Sequence, residues 1–179
     1  MKIGIDVSQT AYEGTGVANY LENLVQNLLK VDKENEYILF FSSMRKNLKS
    51  QISNLKSTSQ NLKIKTFRFP PTLLDLFWNR LHVLPIERLI GDVDVFISSD
   101  WTQAPTIKAK KATILYDAIV YKYPKETDKK IVETQKGRLE WVKKQCDLVF
   151  CISAATKKDA IEILGIEEKK LKVLYPGIG

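Results

Sequence analysis

The strongest constraint on the fold is the alternation of short apolar segments with longer segments of helical periodicity. The short segments are rich in β-branched and aromatic residues, as strands are. They cover residues 2–7, 37–41, 63–69, 94–98, 113–116, 147–152 and 172–175. Strands that alternate with helices pair in parallel through crossover connections. We therefore predict an α/β fold, a Rossmann-like doubly wound and mainly parallel sheet with helices on both faces.

The segments between the strands predict helices of different kinds. Residues 17–30 have one wide apolar face, whereas residues 72–90 are interrupted by Pro85 and predict two short helices or one broken helix. Residues 43–61 predict a short helix and a loop, and Ser153 or Thr156 is expected to cap a helix ending near Leu164. Residues 128–145 predict a long charged helix. Its predicted inner face consists of Ile131, Gln135, Leu139, Val142 and Cys146.

Length and composition limit the possible classes of protein. A chain of 179 residues with 44% hydrophobic and 27% charged residues is expected to form one well-buried globular domain. The N-terminus reads as the first strand and lacks the apolar core of a signal peptide. We therefore expect a cytoplasmic protein. Cys146 and Cys151 have no CxxC spacing and no nearby histidine, so burial is expected for both and a metal site is not.

The net charge of +7 leaves several kinds of partner open. A basic surface attracts nucleic acid, anionic lipid or phosphorylated ligands. The lysines occur in many separate segments, which favours a solvated surface over a dedicated patch. The sequence has no basic and aromatic platform, so nucleic acid is not an expected partner.

A glycine-containing loop joins the first strand to the first helix. Gly14 and Gly16 allow the backbone to approach a ligand, and the helix N-terminus offers free amides, which suits a phosphate. A tight turn without a ligand is an equally good explanation. The loop is not a dinucleotide fingerprint, because Asn19 occupies a position that needs a small residue and Ser42 follows the second strand where an acid would bind the ribose.

Four segments, in order, resemble the N-terminal part of family-4 (group 1) retaining glycosyltransferases. Residues 14–24 (Gly-Thr-Gly-Val-Ala-Asn-Tyr-Leu-Glu-Asn-Leu) resemble the family's glycine-rich loop and following helix. Residues 112–124 resemble its strand ending in His-Asp, with Tyr116 in place of the histidine. Residues 146–159 and 164–179 resemble its strand–serine–helix segment and its exit to the second domain.

The resemblance implies one half of a GT-B glycosyltransferase. Residues 1–179 would be a single acceptor-side domain, and the C-terminal, donor-binding domain would be absent from this chain. The implied reaction is transfer of a sugar, of hexosyl type, from a nucleotide-sugar donor to an acceptor with retention, without a metal or other cofactor. This chain alone is expected to be inactive. The alternative is a non-catalytic subunit that recruits a partner or a membrane.

The resemblance also implies roles for individual residues. The residues that would face the donor phosphate or the cleft are Gly14, Thr15, Gly16 and Ser153. The catalytic residues would be Asp117 and Tyr116, and the residues on the acceptor side would be Trp101 and Tyr121. Trp101 could stack on a sugar ring or simply pack in the interior.

The expected partners follow from the same resemblance. They are the C-terminal GT-B domain, in cis or as a partner chain, and a sugar or lipid-linked acceptor. A membrane surface is a further partner left open, with peripheral association at the inner face. The leucine-rich residues 73–81 fit an amphipathic surface element, although packing on the sheet is favoured. His82 follows directly after residues 73–81 and is expected to be packed rather than catalytic.

Overall fold

The computed structural model describes residues 1–48 and 60–177 and contains a seven-stranded sheet. The strands are β1 (Lys2–Asp6), β2 (Glu36–Ser42), β3 (Leu62–Phe67), β4 (Val95–Ser98), β5 (Lys110–Leu115), β6 (Leu148–Cys151) and β7 (Leu171–Val173). Their order is β3-β2-β1-β4-β5-β6-β7, and every pairing is parallel. This is the predicted Rossmann-like arrangement, with the switch point between β1 and β4.

Helices cover both faces of the sheet, as predicted. They are α1 (Gly16–Val31), α2 (Pro71–Leu74), α3 (Glu87–Ile90), α4 (Ile119–Lys122), α5 (Lys129–Gln145) and α6 (Ala154–Glu162). Short 3₁₀ turns occupy Ser8–Ala11 and Glu168–Lys170, and a π-helical stretch, Asp75–Arg80, continues α2. The 3₁₀ turn after β1 was not predicted from the sequence.

Helix α1 packs on one face because its apolar side chains recur at helical spacing. Val25 and Leu29 belong to a buried cluster with Leu39 and Phe41 of β2. Consecutive strand residues point to opposite faces, so Phe40 belongs to a different cluster on the other side, with Trp78 and Phe96. The sheet is therefore buried on both faces at its centre, which explains the continuous apolar run in β2.

The other face also receives α5 and α6. Leu139 and Val142 of α5 form a buried cluster with Leu115 and Val149 of β5 and β6. The predicted inner face of α5 is wrong at Ile131, whose side chain is 39% exposed. Arg138, within the same helix, is instead completely buried.

Other predicted elements agree with the structure in existence and type. β3 is an edge strand, and residues 71–90 form two short helices separated at Pro85, with the π-helical stretch extending the first. β5 begins at Lys110, three residues before the predicted start, and Ser153 caps α6. The helix and loop predicted for residues 43–61 fall largely on 49–59, outside the described residues.

Two predictions about packing are confirmed. The ring of His82 stacks on Trp141 with ring centroids 3.7 Å apart, and its Nε2 lies 3.0 Å from Gln145 Oε1. Cys146 and Cys151 are both buried free thiols. Burial raises the pKa of Cys146 to about 12 and that of Cys151 to about 11, so both thiols remain protonated at neutral pH.

Gly4 in β1 offers a test of how tightly the centre of the sheet is packed. A Cβ at position 4 would lie 2.7 Å from Phe96 Cδ2 and 3.0 Å from Ile90 Cδ1, and both of these side chains are buried. We expect Gly4→Ala to lower the free energy of unfolding by about 1–3 kcal/mol because the core cannot accommodate the methyl group. Urea denaturation measures this. Gly16→Ala is the control, since nothing lies within 4 Å of a Cβ there; an equal loss in both variants would contradict the packing argument.

Candidate functional site

The candidate site lies at the edge of the sheet where the parallel strands end, close to the switch point between β1 and β4. In open α/β sheets ligands bind at the carboxyl ends of the strands, where the chain leaves the central strands in opposite directions. We call this edge the cleft edge. Residues 7–15 follow β1, residues 99–101 follow β4, and residues 116–118 follow β5.

The glycine loop leaves two helix amides at the cleft edge without a hydrogen-bond acceptor among residues 1–48 and 60–177. Thr15 is the N-cap of α1: its Oγ1 accepts a hydrogen bond from Ala18 N at 3.2 Å and donates one to Tyr12 O at 2.9 Å. The amides of Gly16 and Val17 precede Ala18, and amides in the first turn have no acceptor within a helix. Gly14 has a φ of 80° and open space around it, so glycine suits the turn.

A buried carboxylate, Asp6, ends β1 beneath the cleft edge. Its Oδ1 accepts a hydrogen bond from Ser8 N at 2.9 Å and its Oδ2 accepts one from Ser99 Oγ at 3.2 Å. Burial raises the pKa of Asp6, and this outweighs the opposing effects of the Ser8 and Ser99 hydrogen bonds and of the Arg138 charge. The network ties the end of β1 to the end of β4 across the switch point.

Arg138 reaches the same region from α5. Its Nη2 donates to Thr113 Oγ1 and Ile114 O, both at 2.9 Å, and its Nη1 lies 3.7 Å from Asp100 Oδ1. Gln135 donates from Nε2 to Asp100 O at 2.7 Å. Within the described chain, Nε of Arg138 has no partner although it is buried. The guanidinium group of Arg138 thus connects the end of β5 to the loop that follows β4.

Asp100 is the partly exposed member of this group. Its carboxylate is 27% exposed, whereas the Arg138 side chain is 1% exposed. Burial raises the pKa of Asp100, Arg138 opposes that shift, and the charge of Asp117 adds to it. Asp100 and Asp117 therefore lie near enough to interact, and they give the cleft edge two carboxylates.

Tyr116 stands where the resembled family has a histidine. Its ring meets Tyr20 edge-on, with centroids 5.5 Å apart and an interplanar angle of 81°. Its hydroxyl is buried and has no hydrogen-bond partner among residues 1–48 and 60–177. Burial, followed by the charge of Asp100, raises its pKa well above the ordinary value for tyrosine. The Tyr116 hydroxyl is therefore neutral at physiological pH and does not exchange its proton as an acid or base there.

An open groove of about 630 Å³ joins Tyr116 to the glycine loop. We call it the tyrosine groove. It runs along α1 past the ends of β6 and β7. Its lining includes Gly16, Val17, Tyr20, Leu24, Tyr116, Ile152, Leu174 and Tyr175. Tyr20 also donates a hydrogen bond to Leu174 O at 3.3 Å, which links α1 to the chain that leaves β7.

The remaining predicted site residues differ in what their side chains do. Asp117 is exposed, and its Oδ1 accepts a hydrogen bond from Ile119 N at 2.9 Å. Ser153 Oγ accepts from Thr156 N at 3.0 Å as the cap of α6. Thr156 Oγ1 in turn donates to Tyr116 O at 3.0 Å. Ser153 is thus connected to Tyr116, but its hydroxyl is engaged in capping.

The two predicted acceptor-side aromatic residues lie apart. Trp101 lines a small pocket of about 30 Å³ together with Asp6, Tyr12, Ser42 and Thr102. We call it the Asp6 pocket; its volume suits a water molecule or a single hydroxyl group rather than a sugar ring. Tyr121 packs on the cluster beneath α5, and Lys136 Nζ lies 5.4 Å from its ring centroid. The structure does not bring Tyr121 to the Asp6 pocket.

Sequence reasoning placed Gln135 on an inner helix face and pointed to the loop that begins at Ser99, but it assigned no site role to the polar residues beneath the cleft edge. They are Asp6, Ser99, Asp100, Gln135 and Arg138. Asp6 lies near the end of the first predicted strand and Asp100 lies two residues after the fourth, so the rule that ligands bind at strand carboxyl ends was a usable signal for both. Arg138 gave no such signal, because it lies among charged residues of a helix whose exposed face is basic.

Comparison with known families agrees with this geometry. The sequence profile of Glycosyltransferase Family 4 matches residues 14–179, nearly the whole chain. The chain belongs to Glycosyltransferase Family 4. The match begins at the glycine loop, and it covers the strands and helices that build the cleft edge from α1 onward. No curated protein matches this family 4 chain significantly.

The described residues of this family 4 chain contain neither a metal-binding cluster nor a membrane-spanning helix. No group of three or more histidine, cysteine, aspartate or glutamate side chains is arranged to hold a metal ion there. None of the helices within the described ranges is long and apolar enough to cross a membrane.

Asp6 provides a pH-dependent prediction. A carboxyl group whose pKa is raised by folding keeps its proton in the folded state after the unfolded chain has lost it. The free energy of unfolding therefore falls as pH rises from about 4, the ordinary aspartate value, through the raised pKa. We expect Asp6→Asn to make this fall less steep, since the amide still accepts from Ser8 N and can donate to Ser99 Oγ.

The measurement is urea denaturation at a series of pH values between about 4 and 8, where such a shift is expressed. Asp92→Asn is the control because Asp92 is exposed and lies at the opposite edge of the sheet. Parallel profiles of unfolding free energy against pH for the parent protein and Asp6→Asn would refute the raised pKa of Asp6. A residual slope in Asp6→Asn is expected from Asp100, whose pKa is raised as well.

Arg138 provides a second prediction. Arg138→Met removes the donors to Thr113 Oγ1 and Ile114 O and leaves Asp100 without its buried cation. We expect a loss of about 3–5 kcal/mol in the free energy of unfolding, as for other buried pairs that lose one partner. The control is Lys144→Met, whose ion pair with Glu140 is exposed on both sides. It should cost about 0–1 kcal/mol. Similar losses for both would show that burial of Arg138 is unimportant.

Proposed function

We propose that this chain is the acceptor-side half of a retaining GT-B glycosyltransferase that uses a nucleotide-sugar donor. The observation that carries the proposal is the meeting of two kinds of group at the cleft edge. Free amides of the α1 N-terminus lie on the same groove as Tyr116, and the carboxylates Asp100 and Asp117 lie beside that residue. Anion-binding amides and hydroxyl-binding carboxylates are what transfer of a sugar from a diphosphate requires.

The donor phosphate is proposed to bind at the glycine loop. The amides of Gly16 and Val17, with the positive end of the α1 dipole, would stabilise negative charge as the bond to the sugar breaks. Gly14 leaves that approach open. Thr15 and Ser153 would contribute by capping α1 and α6, because their hydroxyl groups are engaged there.

The acceptor is proposed to bind beside Asp117. Carboxylate oxygens accept hydrogen bonds from sugar hydroxyl groups, and Trp101 offers an aromatic surface next to the Asp6 pocket. The catalytic contribution of Tyr116 would be a hydrogen bond from its neutral hydroxyl, not proton transfer, because its pKa is raised far above neutrality. Tyr121 is proposed as an outer acceptor contact.

A second Rossmann-like domain is proposed to close the site, either in cis or as a partner chain. The tyrosine groove supports this, because it exposes apolar side chains of α1 and of the strand ends beside the glycine loop. That domain would hold the nucleotide-sugar, and the reaction, proposed to be hexosyl transfer in the cytoplasm, would need no further cofactor. The acceptor is proposed to be a sugar or a lipid-linked sugar.

A second candidate function is a non-catalytic subunit that recruits a partner or a membrane. It is favoured by one observation, that a tyrosine unable to titrate near neutral pH replaces the family's histidine at position 116. The exposed side chains of Leu76, Leu81 and Val83 would be available for such contacts.

The test is transfer by this chain fused to, or mixed with, its donor-binding domain. We expect a sugar to pass from one member of a panel of nucleotide-sugars to a sugar or lipid-linked acceptor, with the anomeric configuration retained when the product is read by NMR. No transfer across the panel would overturn the proposed function and favour the recruiting subunit.

A substitution at Asp117 tests where the acceptor binds. Asp117→Asn keeps the hydrogen bond from Ile119 N but loses the charge, and we expect kcat/KM to fall about 10–100-fold, the usual worth of a hydrogen bond to a charged group. Asp92→Asn, at the far edge of the sheet, is expected to leave kcat/KM unchanged. Activity in Asp117→Asn equal to that of the parent would remove Asp117 from the site.

A further inference from the structure

The positive charge of this chain is concentrated in one region. The chain has 28 lysine and arginine residues and 21 aspartate and glutamate residues. Residues 37–74 contain seven of the basic residues and none of the acidic ones, so the rest of the chain has 21 of each and no net charge. The basic residues of this region are Arg45, Lys46, Lys49, Lys56, Lys63, Lys65 and Arg68. The net charge of +7 therefore equals the charge of the segment formed by residues 37–74.

Three of these residues line one groove at the cleft edge. Ser43 N donates to Phe67 O at 3.2 Å, which places the turn after β2 against the end of β3. Arg45, Lys46 and Arg68 consequently lie on the same open groove of about 720 Å³. We call it the basic groove. In the described part of the chain none of the three has an acidic partner within ion-pair distance, in contrast to Lys63, which pairs with Glu36.

Apolar side chains also contribute to the mainly polar lining of the basic groove. Phe41, Ile64 and Phe67 line it, and Met44 beside them is 56% exposed. Apolar side chains framed by lysine and arginine are the combination that binds the surface of an anionic bilayer. The groove does not present a free aromatic face for base stacking, because the ring of Phe67 stacks on Phe40 and Phe69. This favours lipid over single-stranded nucleic acid.

We propose that the basic groove docks on the surface of an anionic lipid bilayer. The groove shares Ser43 with the Asp6 pocket, so docking would hold the acceptor side of the cleft at the membrane. Arg45 and Lys46 would contact lipid phosphates, and Met44 would enter the boundary between head groups and acyl chains. The docking does not depend on the proposed transferase reaction, because it concerns binding alone.

The experiment is co-sedimentation of the 179-residue chain with phospholipid vesicles. Vesicles of phosphatidylcholine with about 30% phosphatidylglycerol are compared with vesicles of phosphatidylcholine alone, at low and at physiological salt. We expect binding to the anionic vesicles that weakens as salt is added. The triple variant Arg45→Gln, Lys46→Gln, Arg68→Gln is expected to bind about 100-fold more weakly, from the typical worth of a basic residue near such a surface.

A matched control separates the groove from net charge. Lys2, Lys30 and Lys108 are exposed, and changing all three to Gln removes the same charge outside the basic groove. This control is expected to keep binding within about 3-fold of the parent, since charges more than a Debye length from the surface are screened. Circular dichroism checks that both triple variants are folded.

Several outcomes would overturn the proposal. They are no binding of the parent chain to anionic vesicles, equal losses in the two triple variants, or binding to neutral vesicles as strong as to anionic ones. Binding to single-stranded RNA, lost only in the Arg45, Lys46 and Arg68 variant and without any vesicle binding, would assign the groove to nucleic acid instead. Transfer activity enters none of these readouts, so a failure here leaves the proposed reaction untouched.

Discussion

The burial of one guanidinium group is the constraint on which the cleft edge depends. Arg138 is the link between α5, the end of β5 and the loop after β4, through Thr113, Ile114 and Asp100. A buried cation is costly to desolvate, and its hydrogen bonds and counter-charge compensate for that cost. The positions of Asp100 and Tyr116 are therefore coupled, because both follow strands that the same side chain holds.

The coarse fold was predictable because it rests on local pattern. The apolar run in β2 and the helical spacing in α1 depend on neighbours in sequence, and parallel pairing follows from their alternation. Helix α5 shows where this fails. Its apolar positions are few, so the pattern gave no reason to prefer Arg138 over Ile131 as a buried residue. Arg138 is buried because Thr113 and Asp100, which are distant in sequence, supply a hydrogen-bond acceptor and a counter-charge for it.

Some features of the candidate site were likewise predictable from local sequence, and others were not. The glycine loop and the end of β5 were visible as motifs, because a turn and a strand end have local signatures. The neutral state of Tyr116 and the raised pKa of Asp6 arise from burial and from charges on other strands. Composition also concealed a feature: the separate lysine segments read as a scattered surface, although the excess charge lies wholly within residues 37–74.

The parallel strand order has a consequence for how the chain acquires its structure. β1 is an interior strand of the sheet, yet its pairing with β4 joins Ile3 to Val95. During synthesis one edge of β1 stays without its neighbour until some ninety residues later, because the whole β2–β3 half and the broken helix are made in between. Contacts of such long sequence separation slow folding and leave strand edges open to association. The strand that anchors the glycine loop is thus the first to be made, yet it gains its second neighbour only after β2, β3 and the broken helix have been synthesised.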